Sequence, residues 1–343
     1  MILFPIAKIN LGLHVLNKRP DGFHEIESCL YPIPLCDILE IIPADETKFL
    51  QTGIELPNSN EKNICVKAYD LLAAKYNIPP VYIHLRKQIP IGAGLGGGSS
   101  DAAFVLKGLN ELFSLNISQA DLEHFSAELG SDCPFFIKSL PCLVSGRGEI
   151  LSPSSIDLSG KFLVLINPNI HISTKEAYAL INPKQPVGDL EAILSDKQND
   201  WKSTLVNDFQ TPIALKYPII SETIDFLYEN GAYYAAMSGS GSTVFGLFDF
   251  APLAEIRIKK AVNKLEEVLS YNRNEWKSSL VNDFQDPIAQ NYPVISETID
   301  FLYQNGANYA AMSGSGSTVF GLFDFAPPAE IRIKKAPIFI GEL

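Results

Sequence analysis

The chain opens on apolar runs with the spacing of strands. Ile2–Ile6 and Ala7–Val15 read as two strands and Ile38–Ile42 as a third. Lys8 stands alone as a charge at the start of the second run. Across Asn63–Tyr76, Ile64, Ala68, Leu71 and Leu72 recur at helical spacing, and Val81–Leu85 alternates like a strand. After a glycine-rich run, Ala102, Val105, Leu106, Leu109 and Phe113 mark one face of a helix starting near Ser99–Asp101. Ser118–Gly130 reads as a helix with a Ser118/Asp121 cap and a glycine stop. Lys161–Pro168 is a buried strand, and the polar stretch Ser152–Gly160 before it is the best domain boundary. Further on, Tyr217–Tyr228 is helical. A glycine turn, a strand into Met237–Ser242, the strand Thr243–Phe248 and a helix from Ala254 follow. Strands and helices in this order predict an α+β fold.

The second half states its pattern twice. Trp201–Ala261 recurs as Trp276–Ala336 at a constant offset of 75, with differences at only eight of 61 positions. A weaker match places Leu190–Ser195 against Leu265–Ser270, so the unit is about 187–261, followed at once by 262–336. Solenoid repeats diverge and usually need three units. Two near-identical copies indicate a tandem duplication of a domain segment. Three differences make copy two more polar: Thr211 against Asp286, Leu215 against Gln290, Tyr233 against Asn308. Copy one is therefore expected to be the docked copy. Ile258, Ala261, Leu265 and Val268 predict one helix across the junction, Ala254–Ser270. The orphaned copy is left to pack alongside, to swap into a neighbour or to stay partly unfolded.

Composition narrows the classes. The 343 residues are 46% hydrophobic and 19% charged, enough for a sizeable core. A net charge of −12 argues against a nucleic-acid partner, which would want basic stripes. The five cysteines are scattered without a CxxC pair, which suggests a reducing compartment and no zinc site. No apolar run approaches the ~18 residues of a membrane span, and no signal peptide is visible. The expected location is the cytoplasm.

Four stretches carry candidate chemistry. The first is "PIGAGLGGGSSDAA", Pro90–Ala103. Its Gly92-x-Gly94-x-x-Gly97 matches a dinucleotide fingerprint, but no acidic residue ends a following strand, and no Gly-Lys-Ser/Thr makes it a Walker loop. What remains is a strand, a glycine loop and a helix start, a site for an anion built from backbone N–H groups. A flexible surface loop is the plain alternative, and the amphipathic helix directly behind argues against it. The second stretch, "MSGSGS" at Met237 and again at Met312, is either a tight turn or a second phosphate-lining loop. The third, Ala7–Ser28, holds Lys8 (a snorkelling surface lysine on the plain reading), the Asp21-Gly22 turn and the Phe23-His24 pair. The fourth, "GSDCPFF" at Gly130–Phe136, presents Asp132, which could equally satisfy its own turn. His84 and His124 read as structural or solvent-facing, and His14 and His171 stay undecided.

In this order the four stretches resemble the GHMP kinase superfamily over roughly residues 1–261, and the final Ala336–Leu343 resembles the family's tail. The Ala7–Ser28 stretch is the most member-specific; the two glycine loops are shared more widely. The resemblance implies a two-domain α+β fold. Its N-terminal half is ribosomal-protein-S5-domain-2-like and its C-terminal half a ferredoxin-like α/β sandwich. The expected divisions are 1–153, 154–261 and a duplicate with tail at 262–343. It implies ATP and Mg²⁺ as cofactors, with no metal ligand assigned. The implied reaction phosphorylates the 2-hydroxyl of a small-molecule substrate, diphosphocytidyl methylerythritol. Asp132 falls at the catalytic base and Lys8 at its partner. Asn63, Pro90, Gly92, Gly94, Leu95, Gly96, Gly97, Gly98, Ser99 and Ser100 fall on the nucleotide side, with Gly239, Ser240 and Gly241 of the second loop. Asn10, Phe23, His24, Thr174 and Tyr178 fall in the substrate pocket. Phe23 stands where the family often has tyrosine, which keeps stacking and loses a hydroxyl. Neither nucleic acid nor membrane is an implied partner, and the implied assembly is a monomer or homodimer, with segment swapping open. The alternatives are a superfamily kinase for mevalonate or homoserine, which Phe23-His24 argues against, and an ATP-binding protein disabled by its duplication.

Overall fold

The computed structural model describes residues 1–54, 62–184, 188–196, 200–250, 289, 293–305, 307, 309–312 and 319–322. They belong to two compact units, Met1–Pro252 and Leu253–Leu343.

In the first unit, two sheets share residues 1–153. One has the strand order β1 (Ile2–Leu3), β4 (Ile38–Pro43), β6 (Val81–Lys87), β5 (Lys48–Gly53), with only β5 and β6 parallel. Leu39, Ile41, Ile83 and Leu85 from this sheet pack against α1 (Ile64–Tyr76) and α2 (Gly97–Leu112), with α3 (Gln119–Ala127) and α4 (Cys133–Lys138) completing the core. The other sheet is an antiparallel run of β2 (Ile6–Lys18), β3 (His24–Cys36), β7 (Cys142–Ser145) and β8 (Ile150–Pro153). Its two faces serve two cores, as strand alternation allows. Leu30, Cys142 and Val144 join the first core. Ala7, Ile9 and Leu11 join a second core with Tyr234, Ala236, Phe245 and Leu247.

Those last four residues belong to a third sheet, β10 (Tyr234–Met237), β11 (Val244–Phe248) and β9 (Phe162–Ile166), in that order and antiparallel. Copy one of the duplication therefore supplies β10 and β11, and β9 comes from the chain before it. Around this sheet lie α5 (Thr174–Ala179), α6 (Leu190–Ser195), α7 (Trp201–Thr204), α8 (Gln210–Lys216) and α9 (Ile219–Glu229). Just after α7, Leu13 N donates to Val206 O at 2.9 Å and Asp208 N to Leu13 O at 2.8 Å, splicing copy one onto β2.

In the second unit, α10 (Val294–Gln304), β12 (Tyr309–Met312) and β13 (Val319–Leu322) repeat the helix and hairpin of α9, β10 and β11. Ile295, Ile299, Leu302, Ala307 and Ala310 form its own small core.

Most expected elements are present. Asn63 caps α1 through Cys65 N, and Ser118 caps α3 through Asp121 N. Four differ from expectation. The strand expected to be buried at Lys161–Pro168 is the edge strand β9, with Phe162 exposed and the rest half-buried. The first apolar run breaks at Phe4-Pro5, so β2 starts at Ile6. Helix α2 starts at Gly97, not near Ser99, because Gly96 takes a left-handed φ of +70° and caps it there. The 13-residue β3 carries no simple alternation in sequence, since Glu25, Glu27, Ser28 and two prolines interrupt it. The helix expected from Ala254, the junction helix Ala254–Ser270 and the second "MSGSGS" lie outside the described residues.

Trp201 is fully buried in the second core, with its indole Nε1 donating to Ile193 O at 3.1 Å and its ring edge-on to Tyr234. Trp201→Ala should cost about 3–5 kcal/mol, as large-to-small core changes do. A urea titration followed by Trp-independent far-UV dichroism should show the lowered midpoint.

Candidate functional site

Alternation along β2 explains the odd charge. Ala7, Ile9 and Leu11 face the second core, so Lys8 and Asn10 face the other way. There Lys8 Nζ donates to Asn10 Oδ1 at 2.6 Å and to Gly94 O at 2.9 Å, and lies 3.7 Å from Asp132 Oδ2. Asn10 is itself held: its Nδ2 donates to Ser28 Oγ, whose hydroxyl donates to Gly12 O. Burial pushes the Lys8 ammonium below its usual range, and Asp132 works against that shift. Asp132 precedes α4 without using its side chain as a cap. That side chain is 37% exposed, so a ligand can reach it, while that of Lys8 is 4% exposed.

The glycine loop joins this pair to a second loop. Gly94 has φ +77°, and a Cβ there would lie 1.9 Å from Ser238 O. Only glycine tolerates both conditions. The contact is tied by Ser238 Oγ donating to Gly94 O at 2.8 Å and Thr243 N donating to Ala93 O at 3.2 Å. Gly239 closes against Asn10, whose Oδ1 lies 3.2 Å from where its Cβ would be. Gly241 is buried behind it and Ser240 is half-buried at the tip. Beyond the contact α2 begins, and its first N–H groups, at Gly97, Gly98 and Ser99, lack carbonyl partners within the helix. Nothing lies within 4 Å of a Cβ built at Gly98, so this helix start faces open space.

That space is a cavity of about 390 Å³ lined by Asn63, Lys87, the loop Pro90–Ser99, Asp101 and Thr174 among others. Backbone dipoles at a helix N-terminus suit a phosphate chain. Asn63 spends its Oδ1 on the α1 cap, which leaves its amide nitrogen for the cavity. Leu95 contributes backbone only: its side chain is in the second core and its carbonyl accepts from Lys8 N. Ser100 is buried, and its Oγ has no hydrogen-bond partner among the described residues.

On the Asp132 side, His24 stacks on Tyr178 with ring centroids 4.6 Å apart and planes 17° from parallel. Tyr178 in turn meets Phe209 edge-on at 4.9 Å. Burial and the nearby Asp132 charge push the Tyr178 hydroxyl up to about 12. Burial and Lys18 lower His24. Phe23 stays half exposed, with the Arg147 guanidinium 4.8 Å over its ring, and is not part of that stack. Thr174 begins α5 at the cavity edge.

Several supporting residues escaped the sequence reading. Under the glycine loop, Lys87 Nζ bridges Asp37 (2.5 Å) and Asp101 (2.7 Å), all three buried. Asp37 also accepts from the N–H groups of Gln88 and Ile89, fixing the strand that leads into the loop. Burial raises Asp101 to about 8, against the attraction of Lys87. Behind the second loop, Asn207 Nδ2 donates to Met237 O at 2.7 Å and Gly239 O at 2.9 Å, and Gln210 Oε1 accepts from Met237 N. The available signals were a charge ending the alternating strand before the loop and an Asn-Asp pair repeated in both copies.

Comparison with known proteins gives the class. Residues 63–139 match the GHMP kinases N terminal domain, and the GHMP kinases C terminal domain matches twice, at 179–267 and 258–333. The chain belongs to the GHMP kinases, ATP-dependent enzymes that transfer phosphoryl groups to an alcohol. A 4-diphosphocytidyl-2-C-methyl-D-erythritol kinase of Cytophaga hutchinsonii is 53% identical over 256 residues, 74% of this chain and 94% of its own length. That of Parabacteroides distasonis is 49% identical over 249 residues, 73% of this chain and 92% of its own. A crystal structure of 4-(cytidine 5'-diphospho)-2C-methyl-D-erythritol kinase superposes with a TM-score of 0.63 at 31% identity, over 72% of this chain and 90% of that one. Among the described residues no helix is long and apolar enough to cross a membrane.

Gly94→Ala should part the two loops and lower kcat by about 100-fold, the scale of a misplacement near 1 Å, while far-UV dichroism stays unchanged. The buried trio gives a pH prediction. Asp101 ionises near 3.8 ordinarily and near 8 in the fold, so the folded chain keeps a proton that the unfolded chain releases. Its contribution to stability is full below the lower value and is lost as pH rises through the upper one. Asp101→Asn should flatten that alkaline loss, seen as a smaller gap between urea midpoints at about pH 5 and about pH 9.

Proposed function

We propose that this chain phosphorylates the 2-hydroxyl of 4-diphosphocytidyl-2-C-methyl-D-erythritol, with ATP as donor and Mg²⁺ as its companion ion. The observation that carries the reading is Lys8 and Asp132 meeting at the junction of a backbone phosphate cradle and an aromatic stack. Phosphoryl transfer needs alignment and charge stabilisation more than covalent help. The cradle Gly94–Ser100 holds the triphosphate at the start of α2, with the second loop, Gly239–Gly241, closing its side. Asp132 accepts the proton of the attacking hydroxyl. Lys8 orients that hydroxyl and steadies the negative charge that develops. His24 and Tyr178 offer a face for a pyrimidine, Asn10 and Thr174 offer polar contacts, and Phe23 with Arg147 flanks the entrance. The similarity to 4-diphosphocytidyl-2-C-methyl-D-erythritol kinases supplies the substrate.

Among the described residues no three His, Cys, Asp or Glu side chains cluster as a metal cage. Mg²⁺ needs no such cage, since it keeps waters and binds through phosphates plus one or two protein oxygens. Ser99, which lines the cavity, supplies the hydroxyl placed to serve it. Bound there, the ion would neutralise charge on the phosphate oxygens.

Incubation with Mg-ATP and this substrate should release ADP well above background, and a background rate would end the proposal. Asp132→Ala and Lys8→Met should each lower kcat about 10²–10⁴-fold with little change in the ATP KM. Mevalonate and homoserine should be poor acceptors in the same assay.

A further inference from the structure

The eight differences between the two copies are not placed at random. In copy one, Thr204, Thr211, Leu215, Lys216 and Glu229 are exposed, and Ile219 and Tyr233 are half-buried. The eighth, Leu253, lies outside the described residues. No buried side chain of copy one described here has changed in copy two. The residues that anchor copy one to the N-terminal part of the chain are Trp201 and Phe245 in the second core, Asn207 through its backbone bridge to Leu13 and Asp208 through Val15 N at the splice, and Ser238 on Gly94. Their counterparts 75 residues on are Trp276, Phe320, Asn282, Asp283 and Ser313, all identical in type.

The strands tell the same story. Five residues of β11, Val244–Phe248, pair with β9. Strand β13 repeats β11 residue for residue over Val319–Leu322 and pairs with β12, with no second strand neighbour among the described residues. Each chain has one β9, and copy one fills it. Each chain therefore carries one docking face more than it has places to dock.

We infer that copy two is a second docking-competent lobe. It completes the C-terminal sheet of a second copy of this chain whose own copy one is undocked, by pairing β13 with that chain's β9. The exposed and half-buried changes set a ranking. Lys216 donates to Glu176 at 2.7 Å, and Tyr233 packs near Trp201 and Lys161; copy two has Asn291 and Asn308 instead. Copy two docks more weakly, so copy one keeps its place in the intact chain. Only the activity arm of the test rests on the kinase reading above.

Two full-length chains test it by complementation. One carries Phe245→Asp and Phe320→Asp, which keeps Lys8 and Asp132 and spoils both copies. The other carries Lys8→Met alone, which spoils its own site, keeps its own copy one docked on β9 and leaves copy two free. Neither should turn over substrate alone. Mixed, they should give activity about tenfold above either chain, rising with concentration. Replacing the first chain by Asp208→Ala with Asp283→Ala, which removes the carboxylate that accepts from Val15 N, guards against misfolding from the charged core residue. Silence in both mixtures overturns the inference. Without reference to activity, Ile166→Cys on the first chain should form a disulfide-linked heterodimer with Val319→Cys on the second, since Ile166 pairs with Val244 in the folded unit. A mixture without that heterodimer, against controls lacking either new cysteine, overturns it too. Should the unmodified chain prove inactive on the substrate, the kinase reading fails and this cross-link alone decides the docking.

Discussion

The site depends on one close backbone approach, Gly94 against Ser238. A side chain at position 94 would collide with a carbonyl oxygen, and the loop also bends through a left-handed φ there. Glycine permits both, at an entropic cost of about 0.5–1 kcal/mol against alanine. What that cost secures is a junction of two loops from opposite halves of the unit. Lys8 reads the same junction from below, since its ammonium donates to Gly94 O. Move the junction, and the lysine, the phosphate cradle and the second loop all lose their register together.

Around the junction sit two kinds of support. Beneath the first loop is a buried trio in which the one Lys87 ammonium serves both Asp37 and Asp101. Such groups are costly to bury and stay in place only when paired. Here they tie the end of β6 to Asp101 in the second turn of α2, so the end of the strand and the start of the helix cannot drift apart. Behind the second loop is a neutral clamp, Asn207, whose one amide nitrogen serves two carbonyls. Its neighbour Asp208 accepts from Val15 N at 2.9 Å on β2. The strand that carries Lys8 thus also holds the segment that holds the second loop. Asp132 arrives from another element and stays partly exposed, as a group that must meet a substrate has to be.

The duplication is compatible with this arrangement because the fold has a single β9. Antiparallel pairing with that strand, and burial of Tyr234 and Phe245 against β2, leave room for one copy. The polar changes in copy two fall where copy one is exposed or half-buried, which weakens its claim on the place without erasing it.

Much of this was legible in the sequence because the signals are local. The glycine loop ahead of a helix, the isolated Lys8 and the capped helices each declare themselves within about twenty residues, and the doubled segment by direct repetition. The family resemblance then ordered them into a kinase. Other features depended on distance. Nothing near Lys87 announces Asp37, 50 residues away, as its partner. Nothing in Asn207 announces that its amide would reach Gly239, and Phe23 and His24, adjacent in sequence, separate into an exposed ring and a stacked one. The sequence by itself determined the elements, the chemistry of the loops and the family. Only the tertiary structure decided which copy lines the site and which side chains hold it, because those contacts join residues that are brought together only when three sheets pack on one another.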